Sequence, residues 1–469
     1  MDVTSPSYLP WEGDEDSIKM SRGKVEFYAE SYGCSSNTFD FQVILGILAE
    51  QGFRRVSDVD DAKLVILNTC GVKKATEDRM LSRIRRLSET GKPLIVSGCL
   101  PKIALDKIVK AAPDFAAVLD PYSVERIAEA ADAAVKGSRG LVYFSDKVPD
   151  GKLLKGRVRS NPFVDVIQVS EGCLGSCSYC CTRFARGRLH SYPLNLILRE
   201  VARSVREGVL EVRLSSQDLG AYGLDIGAGL PELLRGIAGI PGEFKVRLGM
   251  LNPQHALRIS EELAYMLGHP RFFKFIHIPV QSGSDKILND MRRPYTRADF
   301  IELVRRLRRK VPEITVATDV IVGFPTETEE DFRDTISLIR EVNPDIVHVS
   351  KYHHRPGTYA SKAWEELEPR IVSERARVIS EICREASLRS NLRLVGREVN
   401  AYILEVGSKG GLVGRTDNYK KVVLEGGSCK IRLGSNVRLK IVDANSRYLT
   451  ANLIKVPGVV SNIPLRGGL

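Results

Sequence analysis

Long hydrophobic stretches are missing from this 469-residue chain. Its longest apolar runs, such as Ile314 to Phe324, fall far short of the roughly 20 residues that a membrane-spanning helix needs. Residues 1–22 open with Asp, Glu and Pro rather than a basic stretch followed by an apolar one, so no export signal is read there. A closed disulfide framework is also excluded, because nine cysteines are an odd number and several sit in short-range clusters that suit thiolates bound to metal in a reducing compartment. The expectation is a soluble, cytoplasmic protein with no membrane partner. Acidic charge is in deficit too: 58 Asp and Glu face 69 Lys and Arg, and the net charge of +11 points to an acidic partner. From Asn391 to Lys455 there are 12 Lys and Arg against 5 Asp and Glu, so most of the excess lies in one C-terminal segment.

With 43% apolar residues the chain can bury a sizeable core and is long enough for two to four domains. From Val25 to about Ala134, short apolar runs (Val25 to Tyr28, Leu64 to Leu67, Leu94 to Val96, Ala116 to Leu119) alternate with helical spacing over Thr38 to Gln51, Ala75 to Glu89 and Ser123 to Ala134. That pattern predicts a small α/β domain over 23–135. Residues 136–161, rich in Gly, Lys and Ser, read as a linker with one short strand at Leu141 to Phe144. Strands near Phe163 to Ser170, Leu210 to Ser215, Lys245 to Gly249, Phe275 to Val280, Thr315 to Val322 and Ile346 to Ser350, each followed by a helix, predict an incomplete (βα)6 TIM-like barrel over 162–392. Five short β-type runs from Val399 to Leu453 predict a small β-barrel over 393–457.

Chemistry concentrates where strands end. Cys173, Cys177 and Cys180 stand in CxxxCxxC spacing immediately after the first barrel strand. Three thiolates hold three irons of a four-iron cluster and leave the fourth free, the open position at which S-adenosylmethionine can chelate. The bland alternative is a zinc site. Cys34, Cys70 and Cys99 each follow an apolar strand of the first domain. If those strands are parallel neighbours, the three converge at one sheet edge and could hold a second cluster; otherwise they are ordinary buried thiols. Cys181 reads as packing, Arg305 to Lys310 as a solvated helix face, and His353 and His354 have no evident partner that would make them catalytic.

The series Asn68-Thr-Cys70, Cys173-Leu-Gly-Ser-Cys177-Ser-Tyr-Cys180, Ala185-Arg-Gly187, Ser215-Ser-Gln-Asp218, Gly249-Met-Leu-Asn-Pro253, Pro279-Val-Gln-Ser-Gly283 and Gly323-Phe-Pro325 resembles the radical methylthiotransferases, over about Lys24 to Leu453. The stretches after Cys173, at Ala185 to Leu189 and at Gly249 to Pro253 look most like the archaeal and eukaryotic enzymes that act on tRNA N6-threonylcarbamoyladenosine. Thr326 departs from the usual Gly after Gly-Phe-Pro, which puts the backbone path there in question, since Thr resists positive φ.

What the resemblance implies is insertion of a methylthio group at C2 of that nucleoside, at position 37 of the anticodon loop. Two [4Fe-4S] clusters are implied, one on Cys173, Cys177 and Cys180 and one on Cys34, Cys70 and Cys99. Two S-adenosylmethionines per turnover follow, one as radical source and one as methyl donor. The C2–H bond has no acidity for a side-chain base to exploit, which is why radical chemistry is needed. By matching positions, Tyr179, Gln217, Asp218, Gly323, Phe324 and Pro325 are expected to line the cofactor site. Arg415, Asn418, Tyr419, Lys420 and Lys421, in a TRAM-like segment, are expected to meet tRNA phosphates and unstacked bases. A reductant and a sulfur source are also required, neither of which the residues name. Rival readings are methylthiolation of a ribosomal-protein aspartate, methylthiolation of another N6-modified adenosine, and a non-enzymatic zinc RNA-binding protein.

Overall fold

The computed structural model describes residues 25–149, 151–408, 410–424 and 431–455. The opening 22 residues, and residues 23, 24, 456 and 457 at the expected outer domain bounds, lie outside the described residues.

The first domain is a six-stranded, wholly parallel sheet of β1 (Val25–Ser31), β2 (Phe53–Val56), β3 (Leu64–Thr69), β4 (Leu94–Gly98), β5 (Ala117–Leu119) and β6 (Leu141–Tyr143), in the order β2-β1-β3-β4-β5-β6. Helices on both faces bury the central strands β3, β4 and β5, which explains the unbroken apolar runs at the sheet's centre. The helix Lys74–Ser88 sets Met80, Leu81, Ile84 and Leu87 against one face, while the helix Ser35–Glu50 seals the other with Phe39, Val43, Ile44 and Leu48. Cys34, Cys70 and Cys99 follow β1, β3 and β4, which are parallel neighbours. Leu141–Tyr143 corrects the sequence reading: it is no linker strand but the sixth strand of this sheet, paired to β5. The helix Leu100–Ala111 and the edge strand β2 were not anticipated.

The central barrel has six parallel strands, β7 (Val164–Gln168), then, after a short ribbon of β8 (Ser170–Glu171) and β9 (His190–Ser191), β10 (Glu211–Ser215), β11 (Lys245–Arg247), β12 (Phe275–His277), β13 (Thr315–Val322) and β14 (Ile346–Lys351). Two three-stranded sheets, β11-β10-β7 and β12-β13-β14, meet through a bridge from Val246 to Phe272. Among the described residues β7 and β14 share no ladder, so the barrel is open on that side. Val212, Leu214, Val246, Ile276, Val316, Val320 and Val347 point outward into the helix-facing core. The alternate positions point inward and are polar: Glu211, Arg213, Arg247, His277, Asp319 and His348.

The helix Pro369–Leu392 leads to a closed barrel of β15 (Glu398–Val406), β16 (Leu412–Thr416), β17 (Lys421–Leu424), β18 (Asn436–Ala444) and β19 (Leu449–Lys455), ordered β15-β16-β17-β19-β18. It docks under the N-terminal ends of the central strands. The Tyr419 ring lies 4.9 Å from both Phe273 and Phe275, its hydroxyl donates to Glu211 Oε1 at 2.7 Å, and Lys245 pairs with Asp417 at 2.6 Å.

First domain and central barrel are joined by a buried quartet of charges. Arg186 reaches Asp40 at 2.6 Å and Glu171 at 2.9 Å, and Lys152 reaches the same two carboxylates at 2.5 and 2.6 Å. All four side chains are at most 1% exposed, so each charge depends on the others for its solvation. Arg186→Met leaves two carboxylates facing one ammonium in a dry seam. We expect a stability loss of about 3–5 kcal/mol by urea denaturation, against less than about 0.5 kcal/mol for the exposed Lys421→Ala. A loss below about 1 kcal/mol for Arg186→Met would show that the seam is held by something else.

Candidate active site, two cysteine trios across one seam

Glycines set the sulfurs of both trios. Gly98, directly before Cys99, has φ +97°, and a Cβ there would sit 2.3 Å from the Thr69 carbonyl oxygen. Gly172, directly before Cys173, has φ +69°, and a Cβ would meet the Arg188 carbonyl oxygen at 1.9 Å. At both positions the chain turns so tightly off a strand end that only glycine fits.

In the first-domain trio, Cys34 is exposed, Cys70 half-buried and Cys99 buried. Asn37 fixes the surrounding loops: its Nδ2 donates to the carbonyls of Tyr32 and Thr69, and its Oδ1 accepts from Arg186 at 2.8 Å and from the Cys99 thiol at 3.5 Å. Arg186 therefore links the charge quartet to the sulfurs. Burial pushes the Cys70 thiol up to about 11 and Cys99 to about 12, each reinforced by the neighbouring cysteines.

In the barrel trio, the Gly175 amide donates to Cys173 Sγ at 3.2 Å, and the Arg293 guanidinium donates to Cys177 Sγ at 3.3 Å. Arg293 also holds Asn252 Oδ1 at 3.0 Å. Burial pushes Cys173 up to about 12 and also raises Cys180. Cys181 is fully buried between the trios, bonded to the Val72 carbonyl, and within electrostatic reach of Cys180 on one side and of Cys70 and Cys99 on the other. The two trios thus open on the same seam.

The donor set and its spread fit multinuclear clusters better than single ions. Three thiolates around one tetrahedral zinc stand about 3.8 Å apart for a Zn–S bond of about 2.3 Å. Among the described residues, neither cysteine trio brings all its sulfurs within 4.8 Å of one another. Cys34, Cys70 and Cys99 would hold one cluster and Cys173, Cys177 and Cys180 the other.

The remaining expected cofactor residues take more specific positions. Tyr179 packs edge-on against Phe324 at 6.5 Å, and Phe324 is buried among Tyr179, Tyr352 and Trp364. Gly323 takes φ +75° and donates its amide to Glu327, while Pro325 is half-buried. Thr326 keeps a negative φ and donates to Asp290, so the departure from glycine costs no strain. Gln217 donates to Ser36 at the start of the helix Ser35–Glu50, tying the barrel loop to the first domain. Asp218 is fully engaged as a strut, accepting from the Gly220 and Asn252 amides, Asn252 Nδ2 and His255 Nδ1.

The expected RNA contacts need correction. Tyr419 is wedged in the barrel floor, and Lys420 is 6% exposed and bonded to Asp345 and Ser390, so both serve docking between domains. Arg415 is half-buried with its guanidinium over the Tyr419 ring and paired to Glu405, and Asn418 is bonded to Thr416. Lys421 alone of the five is exposed. Arg293, Arg186, Asn37 and Arg355 were missed. Arg355 bonds Gly71 and Glu77 of the first domain and closes the seam beside Cys181. Arg186 stands inside the Ala185-Arg-Gly187 motif but carries no sign there of its partners, and the others are single basic or amide residues whose partners lie far off in sequence. His353 pairs with Glu366 near the surface.

Comparison with known proteins agrees with this architecture. Residues 26–120 match the family described as "Uncharacterized protein family UPF0004", residues 167–339 the radical SAM superfamily, and residues 392–454 the TRAM domain. The fold is shared with the solved radical S-adenosylmethionine methyltransferase TsrM from Kitasatospora setae, described with cobalamin and a [4Fe-4S] cluster bound. That likeness has a TM-score of 0.53 at 16% identity over 73% of this chain and 77% of that one. The matches define a radical S-adenosylmethionine enzyme, a class whose cofactors are a [4Fe-4S] cluster and S-adenosylmethionine.

A probable threonylcarbamoyladenosine tRNA methylthiotransferase from Methanothermobacter thermautotrophicus is 42% identical over 91% of this chain and 99% of its own length. A counterpart from Archaeoglobus fulgidus is 40% identical over 90% and 97%. The threonylcarbamoyladenosine tRNA methylthiotransferase of Mus musculus is 37% identical over 80% of this chain and 65% of its own. The chain belongs to the threonylcarbamoyladenosine tRNA methylthiotransferase family. No described helix is long and apolar enough to cross a membrane.

The unequal burial of the thiols has a direct readout. In iron-free protein at pH 8, iodoacetamide should label the exposed Cys34 well before Cys99, which is buried and protonated at that pH. Peptide mass spectrometry over a time course measures the order. Equal rates would mean that Cys99 is not enclosed.

Proposed function

We propose that this chain replaces the C2 hydrogen of N6-threonylcarbamoyladenosine in tRNA by a methylthio group, using two [4Fe-4S] clusters and two S-adenosylmethionines per turnover. The observation that carries the reading is the pair of three-cysteine sets facing one seam, each of which would hold a four-iron cluster by three irons and leave the fourth without a protein ligand. When bound, the barrel cluster and S-adenosylmethionine supply one-electron chemistry able to take an unactivated C–H hydrogen.

The chain's own residues do the rest. Arg293 places a positive charge on the Cys177 sulfur and, through Asn252 and Asp218, ties that thiolate to two barrel loops. Tyr179 and Phe324 make an apolar wall beside Cys180, and the first domain covers the C-terminal ends of the strands, excluding water from the reacting groups. Sulfur insertion is assigned to the Cys34, Cys70 and Cys99 side. An external reductant delivers the electron.

Transfer RNA is held by the outer face of the closed C-terminal barrel. Lys421, Arg432, Lys440, Arg447 and Lys455 are exposed there, and the exposed ring of Tyr448 is available for stacking. A ribosomal-protein substrate has no comparable use for that basic face.

Two measurements test this reading. Fully reconstituted protein should carry about eight irons, falling to about four when Cys34, Cys70 and Cys99 are all changed to Ala. Nucleoside mass spectrometry of tRNA should show methylthiolated threonylcarbamoyladenosine only in cells with the intact chain, and not with Cys177→Ala. A wild type that stays at about four irons, or a methylthio nucleoside that persists without the chain, would sink the proposal.

The RNA surface is tested separately. Changing Lys421, Arg432, Lys440 and Arg447 together to Ala should flatten the dependence of tRNA affinity on salt by close to one unit of log–log slope per lost phosphate contact. An unchanged slope would place the tRNA on other domains.

A further inference from the structure

The inward faces of β11 to β14 carry a polar group that the cysteine chemistry does not use. Arg247 ends β11, His277 ends β12, Asp319 lies midway along β13, and His348 and Ser350 lie on β14. His277 Nε2 and Asp319 Oδ2 are 2.9 Å apart, the rings of His277 and His348 are 5.6 Å apart, and the donor atoms of this trio lie within 4.8 Å of one another. Lys73, three residues after Cys70, reaches down from the first domain to Ser350 Oγ at 2.9 Å. The group runs from Tyr419 on the floor, under Arg247, up to Ser350, where Lys73 of the first domain meets it.

Its charges are not balanced. Asp319 is engaged with His277, and among the described residues neither Arg247 nor Lys73 has a carboxylate within ion-pair distance. Arg247 lies over the rings of Phe275, at 5.0 Å, and Tyr419, at 5.9 Å, and burial lowers its affinity for a proton below the ordinary guanidinium level. Burial, opposed only by Asp319, likewise holds His348 below its usual range, with His277, Lys73 and Arg247 adding to the effect; His348 is neutral at pH 7 and free to donate or accept. Glu211 attracts Arg247 from beyond contact, but that carboxylate is already taken by Arg213 at 2.5 Å and by the Tyr419 hydroxyl, so no anion neutralises the desolvated guanidinium in contact, and the cost is relieved by an added anion. The His277, Asp319 and His348 donors could also hold a divalent ion, but two cations beside them oppose it.

The substrate proposed above has the matching chemistry, since its threonyl arm bears a carboxylate and a hydroxyl and is joined to the base through a urea. Resting on that reading, we propose that Lys73, Arg247, His277, Asp319 and His348 form the subsite for the threonylcarbamoyl arm, with Arg247 and Lys73 meeting its carboxylate. The two histidines and Asp319 then meet the hydroxyl and the urea, and the arm, anchored in the lumen, presents C2 of the adenine to the seam. Selection of this nucleoside over adenosines with apolar N6 groups follows from the two cations, which an apolar arm would leave unpaired.

The test uses the cluster-loaded full chain and three anticodon stem-loop RNAs, carrying threonylcarbamoyladenosine, its carboxyl methyl ester, or plain adenosine. Wild type should bind the free acid at least about tenfold more tightly than the ester. Lys73→Met, at an exposed position where folding is not at risk, and Arg247→Gln should each weaken binding of the acid roughly tenfold to a hundredfold. Binding of the ester and of plain RNA should change less than about twofold. Equal weakening of all three RNAs, or a wild type that does not separate acid from ester while still methylthiolating the acid, overturns the subsite alone. A wild type that fails to methylthiolate the acid RNA overturns the functional reading with it. One equivalent of zinc or manganese bound by iron-free protein and lost in His348→Ala would make the group a metal site and also overturn the proposal.

Discussion

Four ionised side chains with no access to water sit where the first domain meets the barrel, and the placement of every other functional group follows from them. Asp40 comes from the first domain, Lys152 from the stretch between domains, and Glu171 and Arg186 from the loops after the first barrel strand. Because the two cations and two anions cancel only when all three segments are in register, a shifted docking strands at least one charge in an apolar seam. Arg186 carries the same register to Asn37 and so to Cys99. The alignment of the two trios is therefore a property of electrostatic neutrality more than of surface shape.

Much of this was legible in the chain. Strands buried on both faces show as continuous apolar runs, so the three first-domain cysteines could be placed at strand ends, and the parallel order β1-β3-β4 brings them together. The barrel strands were readable for a different reason, the recurrence of a short β-type run followed by helical spacing. What escaped has physical causes. Phe53–Val56 is an edge strand whose Arg54 and Arg55 are exposed, leaving too little apolar pattern to see. The strand at Leu141–Tyr143 was itself legible but its membership of the sheet was not, because only the pairing to β5 gives it a place. The helix after Cys99 has Pro101 in its first turn and is broken at Ala104, which hides its period.

The site was legible to the depth of its cysteines and little further. Tyr419 and Lys420 were read as RNA contacts because charge and aromaticity look the same whether they face a nucleic acid or a neighbouring domain. Tyr419 takes φ +63°, a strained conformation for a bulky residue, and that strain is stabilised by the phenylalanines it meets. The inward polar residues of the barrel were hidden by strand alternation: each stands apart in its own strand, most of them between two apolar neighbours, and becomes a group only when four strands are side by side.

The Tyr419 wedge bears on traffic. The Tyr419 ring and those of Phe273 and Phe275 fill the floor and the first domain lies over the roof, so on the functional reading proposed above a nucleoside has the unpaired flank between β7 and β14 to enter by. A nucleoside that enters must back out by the same route, so a finished product and a waiting tRNA compete for one passage. Turnover then has an obligatory order of vacate before refill, and the C-terminal barrel, fixed to the floor beside that flank, can shepherd a single RNA through both halves of the exchange without letting go of its backbone.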